Sequence, residues 1–128
     1  MPSSELNWPN WIGVVVDDLQ AQQRFYREAL GLTELDAGED WVHFDLGFPN
    51  ILELLERSDE PQYDRPRFQP GFAVDDIHEA RERLIEAGVQ ALTEIAGGPE
   101  SQGYWCYFRD PEGNVFEISQ RLGDRWIP

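Results

Sequence analysis

The chain is written twice, and that repetition limits its fold more than any other feature. Residues 41–57 read WVHFDLGFPNILELLER and residues 105–121 read WCYFRDPEGNVFEISQR, an ungapped correspondence at an offset of 64. Trp41 matches Trp105, Phe44 matches Phe108, Asn50 matches Asn114, Glu53 matches Glu117 and Arg57 matches Arg121. An earlier block repeats at an offset of 58: Gly13, Val16, Asp17 and Asp18 recur as Gly71, Val74, Asp75 and Asp76. The difference, 64 less 58, gives the second copy six additional residues, assigned to the stretch GGPESQG at 97–103. Such self-similarity means a duplicated structural unit, and only two copies suit a pseudo-symmetric pair of half-domains better than a solenoid. With 128 residues the chain makes one domain. Module one is expected at about 10–57, a proline-bearing linker at about 57–68, module two at about 69–121 and a tail at 122–128.

Each copy carries the same order of local signals. Trp11 to Val16 is a β-rich run. Asp17 or Asp18 then caps a helix that runs to about Leu30, with Ala21, Phe25 and Ala29 spaced on one face and Gly31 ending it. Strands are expected near Thr33–Asp36, Trp41–Leu46 and Asn50–Glu56. In the second copy a strand at Gly71–Val74 precedes a helix whose face is Ile77, Ala80, Leu84 and Ala87, ended by Gly88. Strands near Val89–Thr93, Tyr104–Arg109 and Asn114–Gln120 follow. Each unit is β-α-β-β-β, and the fold class is α+β.

Strand alternation assigns faces. Ile12, Val14, Val16, Val42, Phe44, Leu46, Leu52, Leu54, Phe116 and Ile118 are expected to face the helices. Trp11, Trp41, His43, Glu53, Trp105, Tyr107 and Glu117 then share the other face. A carboxylate among leucine and isoleucine needs a cation, hydrogen bonds or a proton. Arg109 and Arg121 are the candidate partners. His43 is read either as a general acid/base or accessory ligand, or as a histidine bonded within the sheet. The tryptophans are read either as core or as a stacking wall for a planar or cationic ligand. The glycine-rich 97–103 stretch is expected to be a flexible lid, and the tail bearing Trp126 and Ile127 to cover a cavity or a dimer partner.

Charge and composition remove several function classes. Acidic residues number 25 against 10 basic ones, a net charge of −15, which disfavours nucleic acid and anionic membranes. The basic residues are all arginine, so a Schiff-base lysine and a phosphate-loop lysine are excluded. The single cysteine, Cys106, excludes an intrachain disulfide. No signal-like segment is read at the N-terminus, and a cytoplasmic location is expected.

The phrases VVVDDLQAQQRFYREALGL, FAVDDIHEARERLIEAGV and YFRDPEGNVFEI, in this order on a duplicated frame, resemble the vicinal oxygen chelate superfamily of glyoxalases, bleomycin-resistance proteins and dioxygenases. The resemblance implies two tandem modules forming a curved eight-stranded sheet around a cavity, with helices outside. It implies a homodimer and a small-molecule ligand, cationic or aromatic. The ligand positions of the superfamily's metalloenzymes map to Trp11, Glu53, Gln69 and Glu117. Indole cannot ligate a metal, which leaves Glu53, Gln69 and Glu117. The cofactor is therefore either none or one divalent ion (Mn, Mg, Ni or Zn), the oxygen-rich set suiting Mn²⁺, Mg²⁺ or Ca²⁺ better than Zn²⁺. An extradiol dioxygenase is disfavoured because a two-histidine, one-carboxylate set is missing. Two functions follow. One is non-catalytic sequestration of a ligand in the cup lined by Trp11, Trp41, His43, Glu53, Gln69, Trp105 and Tyr107. The other is a metal-dependent lyase or isomerase acting through an enediolate, with Glu117 moving the proton and His43 assisting.

Overall fold

The computed structural model describes residues 6, 9–60 and 65–123. Module one contributes β1 (Pro9–Val16), α1 (Leu19–Arg24), β2 (Glu34–Ala37), β3 (Trp41–Asp45) and β4 (Ile51–Glu56). Module two contributes β5 (Phe68–Ala73), α2 (Ile77–Glu86), β6 (Gln90–Ala91), β7 (Ala96–Gly98), β8 (Gly103–Arg109) and β9 (Val115–Arg121). All nine strands form one open, mixed sheet in the order β2-β3-β4-β1-β5-β9-β8-β6, with β7 added to β8. In each module the first strand lies parallel to the last, and the two first strands meet antiparallel at the centre.

The repeated Asp-Asp dipeptides divide their labour. Asp18 accepts the Ala21 N–H at 3.0 Å and Asp76 the Glu79 N–H at 3.1 Å, so the second aspartate is the helix cap in both copies. Asp17 instead accepts from Arg57 Nε at 2.7 Å, tying the end of β1 to the residue after β4. Gly31 and Gly88 take φ of 72° and 88°, the left-handed stop read from the sequence.

Two helix-side cores follow the duplication. Val14, Val16, Leu19, Val42, Phe44 and Leu54 form one; Val74, Ile77, Ala80, Leu84, Cys106, Phe108 and Ile118 form the other. A third cluster, on the opposite face, spans both modules: Trp11, Ile51, Tyr107 and Val115, with Leu35, Leu55, Leu92 and Trp105 against it.

Several expectations need correction. Ala21, Phe25 and Ala29 are exposed; Leu19 and Tyr26 face the sheet instead, and Tyr26 lies 6.0 Å from the Phe44 ring. The intervening Gln22 and Gln23 are half-buried, and Gln23 donates to Glu34 Oε1 at 2.7 Å, so polar residues occupy a packed face. The helix also widens into a π turn at Phe25–Ala29 before Gly31. Ile12, Leu46 and Ala87, expected to pack between sheet and helices, are exposed. The six additional residues do not make a lid: they form the β7–β8 hairpin, closed by a 3₁₀ turn at Pro99–Ser101, which adds a short ninth strand, among the described residues, to the expected curved sheet. Gly97 is required there, since its φ is 94° and a Cβ would meet the Gly103 carbonyl at 2.2 Å. Pro61, Trp126 and Ile127 lie outside the described residues.

Replacing either capping aspartate, Asp18→Ala or Asp76→Ala, is expected to lower stability by about 1 kcal/mol. Urea midpoints of the two variants against the unmodified chain check it.

Candidate functional site

The register brings the sequence-predicted residues onto one face. Glu53 on β4 lies opposite Gly13 of β1, and Glu117 on β9 lies opposite Gly71 of β5. Across the other edge of each carboxylate strand, His43 pairs with Glu53 and Tyr107 with Glu117. His43 and Tyr107 are themselves 64 residues apart, so the duplication has produced two equivalent dyads. Trp41 and Trp105 sit two residues before them, Trp41 with its ring 4.5 Å from that of His43. Gln69, opposite Gly13, is buried.

The dyads have diverged in their environments. Glu53 is fully engaged: Trp11 Nε1 donates to its Oε1 at 2.8 Å, and His43 Nε2 lies 3.0 Å from its Oε2. Glu117 is only 4% exposed, and its Oε1 has no hydrogen-bond partner. Burial pushes the Glu117 carboxyl up to about 8; Arg121 opposes this, the charge of Glu53 adds to it, and a hydrogen bond with Tyr107 and the charge of Arg65 oppose it further. Burial also pulls Arg121 below its ordinary value, against the attraction of Glu117, and its Nε has no hydrogen-bond partner.

Of the two arginines proposed as partners, Arg121 is therefore the one whose charge acts on Glu117. Arg109 turns away, donating to the Gly113 carbonyl at 2.9 Å in the 110–114 turn. Two contributions, from three residues, were missed. Arg65, on the linker, places its guanidinium 5.6 Å from the centre of the Tyr107 ring. Asn10 and Ser119 exchange hydrogen bonds at 2.9 and 3.2 Å and pin β1 to β9. Arg65 sits in a proline-rich stretch with no periodicity, so nothing local marked it.

All of this face except Ser119 and Arg121 falls inside a match to the model of the glyoxalase/bleomycin resistance protein/dioxygenase superfamily, which covers residues 8–118. The chain belongs to that superfamily. It is 27% identical over 124 residues to the uncharacterized protein YraH of Bacillus subtilis, covering 87% of this chain and 96% of that protein. Its fold is similar to that of methylmalonyl-CoA epimerase from Mycobacterium tuberculosis, with a TM-score of 0.72 and 18% identity over 94% of this chain and 90% of that one. It is also similar to the Mn(II)-bound glyoxalase of Novosphingobium aromaticivorans, with a TM-score of 0.69 and 20% identity; the match covers 100% of this chain and 44% of that one. At these identities the two structural likenesses speak for the fold alone.

The residues present do not fit the divalent ion that the superfamily implies. Trp11 offers an N–H and no lone pair, each oxygen of Glu53 already carries one close contact, and Glu117 lies under the positive charge of Arg121. Among the described residues, no three of His, Cys, Asp and Glu are grouped to hold a metal. The expected trio of Glu53, Gln69 and Glu117 therefore does not make an open ligand set.

A carboxyl raised from 4.5 to about 8 keeps its proton in the folded chain where the unfolded chain has lost it. Glu117 therefore stabilises the fold below its unfolded value, and that contribution is lost as pH rises through about 8. Urea midpoints are expected to fall from mildly acidic to alkaline pH, and Glu117→Gln is expected to flatten the fall.

Proposed function

We propose that the chain binds a small molecule against the concave, helix-free face of its sheet and releases it unchanged. The observation that supports this is the asymmetry between two equivalent carboxylates: Glu53 has partners on both oxygens, while Glu117 Oε1 has none. A buried carboxyl oxygen without a partner costs on the order of 1–3 kcal/mol, and a ligand amide, which both donates and accepts, would recover it whether or not Glu117 carries its proton. Arg121 Nε offers the complementary vacancy for a ligand acceptor. Around these polar groups the face is aromatic, with Trp105 and Tyr107 in the third cluster and Trp41 beside His43. An aromatic ligand suits such a wall.

Between a cationic and a neutral ligand, the neutral one fits this half of the cup. Arg65 and Arg121 both act on Glu117 electrostatically, so an ammonium group there would meet two like charges. The reading extends to a cytoplasmic homodimer, as superfamily resemblance implies. With no helix of the described residues long and apolar enough to cross a membrane, the helices offer no span.

One observation favours a second reading. A carboxyl near 8 can take up and release a proton near neutral pH, the requirement for a general acid/base in a lyase or isomerase. Arg121 would then face developing negative charge without a metal ion.

Titration with neutral aromatic amides, followed by tryptophan fluorescence, tests the binding reading. Saturable binding is expected, weakened about tenfold or more, that is by about 1.4 kcal/mol or more, in Glu117→Gln and Arg121→Met. Turnover of a 2-oxoaldehyde hemithioacetal or an acyl-CoA epimer by the unmodified chain would instead establish the second reading.

A further inference from the structure

We propose that Trp11 occupies the position that a divalent ion holds in the superfamily's metalloenzymes, so that the chain's own indole closes its cup to metal. This rests on the metal-free reading above and concerns the ring's placement between the two carboxylates. At one end, Trp11 Nε1 donates to Glu53 Oε1 at 2.8 Å. At the other, a Cβ added to Gly71 would lie 2.9 Å from Trp11 Cβ and 3.0 Å from Glu117 Oε1, so the root of the side chain and the second carboxylate flank one strand position. The indole lies across Gly13, where an added Cβ would come within 2.2 Å of Cη2. Its outer face meets Tyr107 edge-on at 6.1 Å, and only 2% of the residue is exposed.

An ion bridging Glu53 and Glu117 needs their oxygens to converge on one point with open lone pairs. The ring fills the intervening space, and its N–H uses a lone pair of Glu53. Each function of an ion has a protein substitute. The indole N–H and His43 satisfy Glu53, and Arg121 and Arg65 supply positive charge to Glu117. The place is built for the ring: both positions under it, Gly13 and Gly71, lack a side chain that would displace it. In exchange the cup gains an apolar floor, since Trp11 clusters with Ile51, Tyr107 and Val115.

The corollary is that Trp11→His releases Glu53 and brings an imidazole nitrogen to it and Gln69, opening a divalent site on the Glu53 side of the cup, away from the arginines that flank Glu117. The test compares the unmodified chain, Trp11→His, and Trp11→His combined with Glu53→Gln. Each is purified without nickel, equilibrated with Mn²⁺ or Zn²⁺, and measured for bound metal and melting temperature. The unmodified chain is expected to hold no stoichiometric metal and to melt unchanged. Trp11→His is expected to take up one equivalent and melt higher with metal, and the added Glu53→Gln to abolish both effects. One equivalent in the unmodified chain, or none in a folded Trp11→His variant, overturns the proposal.

A measurement on the unmodified chain keeps it testable should Trp11→His not fold. The indole N–H resonance of Trp11, assigned by its loss in Trp11→Phe, is expected to resist hydrogen exchange and to stay sharp with Mn²⁺. Broadening by stoichiometric Mn²⁺ would place the ion beside the ring and overturn the proposal. The ligand titration contains no metal, so a failure of the binding reading appears there and leaves these outcomes unaffected.

Discussion

The antiparallel seam between β1 and β5 is the contact on which the rest depends. Each of these strands is also the parallel neighbour of its module's carboxylate strand, through Gly13 opposite Glu53 and Gly71 opposite Glu117. Joining the two first strands therefore brings both carboxylates onto one face, on either side of Trp11. The third hydrophobic cluster draws residues from both modules around that tryptophan, and Asn10 and Ser119 add a buried polar lock between the modules. One module alone would have no partner for its inner face.

The electrostatics of that face differ from those of the whole chain. The net charge of −15 describes mainly the outer surface, where most acidic side chains meet water. Inside, Glu53 and Glu117 stand with His43, Arg65 and Arg121. A charge moved from water into an apolar face must be matched locally, because distant surface charges are screened. Matching is closer at Glu53, where Trp11 donates to one oxygen and His43 lies against the other, than at Glu117, whose Oε1 has no hydrogen-bond partner. The same residue type in equivalent positions thus reads as structural in one module and as an available group in the other.

The parts of the fold legible in the sequence were those encoded locally and written twice. Asp18 and Asp76 cap, Gly31 and Gly88 stop, and period-two alternation sorted Glu53, Glu117 and their neighbours onto the correct face. Where two local patterns competed, the sequence misled. Ala21, Phe25 and Ala29 offered the apolar spacing, but Leu19 and Tyr26 reached the sheet, and Gln23 was accommodated by a hydrogen bond to Glu34. The 97–103 stretch looked like a loop because glycine dominates it; strand pairing with β8 used those glycines for close approach.

By itself, the sequence determined the duplicated β-α-β-β-β frame, the superfamily and the shared face of the two carboxylates. The frame and the shared face follow from periodicity and capping, which act within a few residues along the chain, written out twice; the superfamily came from the resemblance of its motifs. Only the tertiary structure decided what each carboxylate meets. The indole of Trp11 reaches Glu53 across 42 residues, Arg65 reaches Tyr107 from the linker, and the charge of Arg121 acts on Glu117 while Arg109 turns away. A side chain's partners depend on strand order and seam register, and those are set by burying the inner faces of both modules together.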